Sequence, residues 1–334
     1  MSVTSLNAFE RAEIARYWQW HKTGRSGLFP SVVGKEFMVH ITTDCSAPVE
    51  CKKLCTYKYT RESKHTIDVD LGLRAIEQSY KLGYRKIVFT GGGEPLEPAS
   101  QSAFFTLLEA AKRYGFLTML ITNGMFLSPE IFPRLFPYLD FLRVSMNGDS
   151  HFWEIYGHIV KSKNYCLENN LNVGIGASFL ITPATRHDDI LKYYETLIGY
   201  IDYVDFKMAH LKKTREGSFD LNVKAYEKSI QFIRGLRFSN ALASERSILL
   251  GRKNIQYPFC YYCDFQLIVQ ADGKVSFCCE HAYDPEYEKG DLNKQSAVEI
   301  LENRKPQEIG EKCFRGCAGE TFNRIAHEIV EALT

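Results

Sequence analysis

The chain has 334 residues, 45% hydrophobic and 24% charged, enough to bury a large core and to form one large domain with a smaller one. Lysine plus arginine (41) nearly balances aspartate plus glutamate (40), so the net charge carries no nucleic-acid footprint. The first residues lack the charged-then-apolar pattern of a secretion signal, and no apolar run reaches the roughly eighteen residues of a membrane span. A soluble, cytoplasmic protein is expected, one that neither enters membranes nor binds nucleic acid. Ten cysteines in a reducing compartment, where disulfides are rare, are better explained by clusters or metals than by bridges.

In chain order, residues 1–36 form an N-terminal extension in which Phe9, Ile14, Tyr17 and Trp18 recur at helical spacing between Ala8 and His21. Six apolar, strand-like runs follow: Phe37 to Thr43, Lys86 to Thr90, Leu117 to Thr122, Phe141 to Ser145, Val173 to Ile181 and Tyr203 to Met208. Between them Phe104, Leu107, Leu108 and Ala111 recur at helical spacing, as do Ile190, Tyr194, Leu197, Ile198 and Ile201. The alternation predicts repeated strand–helix units and a parallel sheet.

The chemistry gathers at the ends of these runs. Cys45, Cys51 and Cys55, with five and then three residues between them, follow the first run, and Thr90-Gly91-Gly92-Gly93-Glu94-Pro95 closes the second. Three thiolates from one short loop can hold three irons of a four-iron cluster and leave the fourth open, and the same trio also suits zinc. The glycine run alone reads equally as a tight turn or as a phosphate loop without its lysine. Thr122-Asn123-Gly124, Ser145-Met146-Asn147-Gly148, Ser178 and Lys207 end later runs, although Asn-Gly is also ordinary turn chemistry and Lys207 reads first as a surface lysine.

From residue 250 to 334 six cysteines gather: Cys260, Cys263, Cys278, Cys279, Cys313 and Cys317. They surround a hairpin signal, Asp272-Gly273 between two β-rich runs. Cys278 and Cys279 are neighbours, and neighbours on a strand point to opposite faces. Cys166 lies in a polar helix–loop stretch and reads as inert, and His210 and His281 show no ligand spacing.

A cysteine trio ending one strand and a Gly-Gly-Glu-Pro turn ending the next resemble the radical S-adenosylmethionine (SAM) enzymes, although the family's usual cysteine spacing is three and then two residues. The resemblance implies an α/β fold, a partial (β/α)6 TIM-type barrel over residues 37–240, with its active site at the strand C-terminal ends. It implies a SAM-binding [4Fe-4S] cluster on Cys45, Cys51 and Cys55, whose open iron takes the amino and carboxylate groups of SAM. By the same resemblance Gly92, Gly93 and Glu94 receive the SAM amino group, Ser145 and Asn123 hold its ribose or methionine end, and Tyr57 lies near the adenine.

Cys260, twelve residues, Gly273, four residues and Cys278 are similar to the opening of the C-terminal domains called SPASM and twitch. A full SPASM domain carries seven cysteines and two clusters, so the resemblance here implies a small twitch-like domain with one auxiliary [4Fe-4S] cluster on Cys260, Cys278, Cys313 and Cys317. The same four would also suit zinc. Cys263 and Cys279 flank that set, either as replacement ligands or as candidate catalytic hydrogen donors. The implied function is reductive cleavage of SAM to a 5′-deoxyadenosyl radical that takes hydrogen from a small polar metabolite and ends in oxidation, served by a flavodoxin- or ferredoxin-type electron donor. Epimerisation through a cysteine, modification of a ribosomal peptide, and a non-catalytic iron-sulfur or zinc protein are the alternatives.

Overall fold

The computed structural model describes residues 36–47, 55, 57, 63–146, 151–182, 184–209, 228–229, 231–233, 235, 241–243, 257–305, 307–310, 313, 317 and 319–333. The expected N-terminal helix and Cys51 lie outside the described residues, as does His210.

All six expected strands form, within one or two residues of their expected bounds: β1 (Glu36–Thr42), β2 (Lys86–Gly92), β3 (Leu117–Thr122), β4 (Phe141–Ser145), β5 (Gly174–Ile181) and β6 (Tyr203–Met208). β2 runs on into the glycine turn because Thr42 still pairs with Gly92. Helices α1 (Val69–Lys81), α2 (Gln101–Tyr114), α3 (Phe152–Glu168) and α4 (His187–Leu197) cross between successive strands. Local chemistry fixes their ends: the Asp68 carboxylate accepts the Leu71 N–H at the start of α1, and Gly115 closes α2 in the left-handed region at φ +89°.

The strands alternate cleanly. Phe37, Val39, Ile41, Ile87, Phe89, Leu142, Val144, Ile175, Ala177, Val204 and Phe206 join the apolar core, with Leu71, Ile76, Phe104, Leu107 and Leu108 contributed by α1 and α2. The intervening residues therefore line the opposite face, turned away from the helices: His40, Thr90, Arg143, Ser145, Ser178, Asp205 and Lys207. Lys207 is thus corrected from a surface lysine: its side chain is 21% exposed and lies 3.1 Å from the Asp205 carboxylate on the same face.

A short β7 (Ala241–Ala243), which the sequence pattern did not reveal, adds parallel to β6. The expected hairpin forms as β8 (Gln266–Val269) and β9 (Lys274–Ser276), turning at Gly273 with φ +86°. β8 lies parallel to β1, Phe37 opposite Leu267 and Val39 opposite Val269, and β9 pairs with β10 (Glu288–Asp291). One ten-stranded sheet results, in the order β10-β9-β8-β1-β2-β3-β4-β5-β6-β7. Two further helices, α5 (Ala297–Glu302) and α6 (Glu320–Leu333), follow the last strand. No described helix is long and apolar enough to cross a membrane.

Leu267 is fully buried in the shared core. Leu267→Ala is expected to lower the stability of the whole sheet by about 2–5 kcal/mol. Denaturant unfolding followed by far-ultraviolet circular dichroism measures this, and a loss confined to the C-terminal segment would show the hairpin to be an independent unit.

Candidate functional site

Because β1 to β6 are parallel, their C-terminal ends gather along one edge, where the sequence placed its candidate residues. The loop after β1 lies directly on the turn after β2. The Glu94 N–H donates to the Asp44 carbonyl at 2.8 Å, and a Cβ added at Gly93 would stand 1.9 Å from that same oxygen. Gly91 and Gly92 sit at φ +57° and +67°. No side chain would fit between turn and loop, so the turn must be built of glycine, and its own N–H groups brace it: the Gly93 N–H donates to the Gly91 carbonyl at 2.8 Å.

Glu94 is 2% exposed and ties this turn to β3. Its carboxylate accepts from the Leu96 N–H, the Thr122 hydroxyl (2.7 Å) and the Asn123 N–H (2.7 Å). Asn123, fixed in this way, places its Nδ2 3.9 Å from the Cys45 Sγ. Ser145 stands further along the edge, its Oγ 3.5 Å from that of Ser178 on the inner face. Glu97, which sequence reasoning missed, holds the cysteine loop: its carboxylate accepts the Ser46 N–H at 2.9 Å and the Ser46 hydroxyl at 2.5 Å. Its only signal was its place three residues beyond Glu94 in the same strand-end turn.

A second thiol site lies behind the hairpin. Cys260, Cys263, Cys278, Cys313 and Cys317 line one cavity, together with Glu280, His281, Tyr287 and Asn323. Cys260 caps a 3-10 turn, Tyr261–Phe265, in which residues three apart eclipse, so Cys260 and Cys263 stand on one side. Cys263 stands against both Cys260 and Cys278; its thiol proton lowers the Cys260 thiol, and those two neighbours push the Cys263 thiol up. Asn323 of α6 spans the turn, accepting the Tyr262 N–H at 2.7 Å and donating Nδ2 to the Cys260 Sγ at 3.3 Å. His281, which the sequence left as ordinary, stacks on Tyr287 in the cavity wall with ring centres 4.3 Å apart. Cys279 does not line the cavity, and Cys166 is buried in α3, where burial raises its thiol to about 11.

The C-terminal cavity fits an iron-sulfur cluster. It surrounds its space with thiols, and a four-iron cluster needs one thiolate at each of several separated corners. Side-chain donors aimed at sulfur, from Asn123 and Asn323, are the partners thiolate ligands take.

Between the two thiol sites lies an aromatic group that the sequence did not reveal. The Tyr57 hydroxyl, expected beside an adenine, donates to the Cys279 carbonyl at 2.5 Å. Its ring meets His40 and Tyr283 edge-on, with centres 5.6 and 6.3 Å away. His40 is fully buried, stacks on Tyr283, and is held neutral because burial lowers its imidazole to about 3. Tyr283 stands at φ +70°, a backbone state a bulky aromatic adopts only when its surroundings enforce it.

Comparison with known proteins agrees with this arrangement. Residues 260–325 match the SPASM family, an iron-sulfur cluster-binding domain. A curated relative, the S-adenosylmethionine-dependent nucleotide dehydratase of Flammeovirga pacifica, is 30% identical over 113 residues, 33% of this chain and 37% of the relative. The match thus spans little more than a third of that protein's length. Among solved structures, Streptococcus suis SuiB bound to its precursor peptide SuiA superposes with a TM-score of 0.60 at 13% identity, covering 90% of this chain and 71% of SuiB. The protein anSMEcpe with bound AdoMet gives 0.58 at 16% identity, covering 81% of each chain. Fold and thiol sites together define an iron-sulfur protein built on a partial α/β barrel. In fold the chain is similar to SuiB and anSMEcpe, and its residues 260–325 match the SPASM iron-sulfur cluster-binding domain.

Burial raises the Glu94 carboxyl from 4.5 to about 7, against the three hydrogen bonds that favour its ionised form. Between those two values the folded chain keeps a proton that the unfolded chain has released, so stability falls as pH rises from about 4.5 to about 7. The expected fall is on the order of 2–3 kcal/mol, and Glu94→Gln should remove it. Denaturant midpoints at pH 5 and pH 7.5 measure both, and an identical fall in the variant would exclude Glu94 as its source.

Proposed function

We propose that this chain is a radical SAM enzyme with an auxiliary iron-sulfur cluster, acting by hydrogen-atom abstraction on a polar substrate held over the inner face of the sheet. The observation that carries the reading is the side-chain-free Gly91–Gly93 turn pressed onto the Cys45 loop, with a second, five-thiol cavity reached through Tyr57. When bound, the first cluster and SAM supply a 5′-deoxyadenosyl radical able to take hydrogen from an unactivated carbon.

This chain's residues then have separable tasks. Cys45 and Cys55, with Cys51 between them in sequence, hold the SAM-side cluster; the Gly91–Gly93 turn, bare of side chains, and Asn123 receive the methionine end of SAM; and Ser145 and Ser178 offer hydroxyls to its ribose. The Asp205–Lys207 pair and Arg143, on the same inner face, orient the polar groups of the substrate and favour a small polar metabolite. Cys260, Cys263, Cys278, Cys313 and Cys317 supply the auxiliary cluster's ligands. A flavodoxin- or ferredoxin-type protein is the electron donor. The outcome is dehydrogenation, which Cys263 supports by packing against Cys260 and Cys278 and not standing apart as a hydrogen donor. A peptide substrate is the second reading, favoured by the likeness to SuiB with its precursor peptide and to anSMEcpe with a bound peptide.

Anaerobically reconstituted protein is expected to carry about eight irons per chain, and replacing Cys45, Cys51 and Cys55 by alanine should remove about four, along with SAM cleavage. Stoichiometric zinc, or unaltered cleavage in the triple variant, would overturn the assignment. Dehydrogenation further predicts that Cys279→Ala still yields a product two hydrogens lighter than its substrate. Deuterium gain from heavy water that disappears in this variant would instead establish epimerisation with Cys279 as the donor, as read by mass spectrometry.

A further inference from the structure

The aromatic group between the thiol sites has an unusual connectivity. Tyr57 lies two residues after Cys55 on the SAM-side loop, yet its hydroxyl binds the backbone of Cys279, the residue after the cavity thiol Cys278. Tyr283 reaches the other way. It follows Cys278 by five residues, and its hydroxyl occupies the place a Cβ on Gly92 would need, 2.5 Å from that position. Each side of the molecule thus puts a tyrosine hydroxyl against the backbone of the other.

Tyr283 is also anchored on its own side, since its hydroxyl accepts the Ala271 N–H of the hairpin turn at 3.3 Å, the same distance that separates it from the His40 Nδ1. The ring is wedged between His40 and the SAM-side turn, and the backbone holds the left-handed conformation that this placement requires. Cys278 lines the cavity, so any adjustment of the Cys278–Cys279 backbone on filling would move the acceptor of Tyr57 and the root of Tyr283 together. Both displacements end on the SAM side, one beside Cys55 and the other at Gly92.

We propose that Tyr57 and Tyr283 form a reciprocal clasp through which filling of the C-terminal thiol cavity strengthens SAM binding at the Gly91–Gly93 turn. The inference rests on the functional reading above and adds to it a dependence of one site on the other. Tyr57 and Tyr283 are positioning residues, and their effect is a coupling free energy, which a double-mutant cycle isolates.

Equilibrium SAM binding, measured anaerobically by calorimetry on iron-loaded wild type, Tyr57→Phe, Cys278→Ala and the double variant, tests this. Cys278→Ala, once an iron count shows about four irons fewer than wild type, is expected to bind SAM at least about fivefold more weakly than wild type, and if four thiols still load the cavity, Cys313→Ala is added to it in the same cycle. Tyr57→Phe should also bind more weakly, and the double variant should lose less than the sum of the two single losses. Additive losses in the double variant, or unchanged affinity in both single variants, would overturn the clasp and leave the functional reading standing. If Tyr57→Phe fails to load its SAM-side cluster, Tyr283→Phe replaces it in the same cycle, with the same outcomes deciding. Absence of SAM binding by the wild-type protein would overturn the functional reading, and the clasp with it.

Discussion

The architecture of the site depends on a contact in which no side chain takes part. The turn after β2 lies against the loop after β1 closely enough that a single methyl group at Gly93 would collide with the Asp44 carbonyl. From that approach follow the Glu94–Asp44 backbone hydrogen bond and the burial of the Glu94 carboxylate, which in turn orients Asn123 toward Cys45. Glu97 closes the arrangement by holding Ser46 through both its backbone and its hydroxyl. Three strand ends are thereby fixed to one another before any ligand binds, which is the preorganisation a reactive site requires.

The barrel was legible in the sequence because its signals are local. Apolar runs alternating with helical periodicity announce β1 to β6, and a glycine run directly after β2, behind a cysteine trio after β1, marks the strand ends that carry the site. Cys45 and the Gly91–Gly93 turn could be placed near each other from strand order alone. The rest of the site was hidden because it depends on long-range pairing. Tyr57 and Cys279 are 222 residues apart in the chain, and no periodicity joins them. Asn323 likewise acts on Cys260 only because α6 folds back over the 3-10 turn, and Asn in a helix carries no signal of a ligand partner. Lys207 was misread for a simpler reason: a charged residue in a strand reads as exposed unless its face is known, and that face became clear only from the burial of Val204 and Phe206 on the other side.

The thiol cavity is richer than spacing suggested. Cys263, counted as a flanking residue, stands between Cys260 and Cys278 because a 3-10 turn superposes residues three apart, where an α-helix would have rotated them. A five-thiol wall around a site that needs four ligands leaves room for ligand choice, and the hydrogen bonds from Asn323 and Tyr287 make individual sulfurs inequivalent. Differences of that kind tune cluster potentials in iron-sulfur proteins generally.

The parallel pairing of β8 with β1 has a consequence for how the protein is made. Strands separated by some 230 residues meet edge to edge, so the barrel's first strand has no partner on that side until residues 266–269 have left the ribosome. In the interval β1 presents an unpaired, apolar edge, the feature that invites aggregation. Cys313 and Cys317 follow later still, so the thiol cavity is completed only after the edge of β1 has been covered. A chain cut short before residue 266 would lose more than its second metal site, because it would leave the edge of its first strand open for other chains to join.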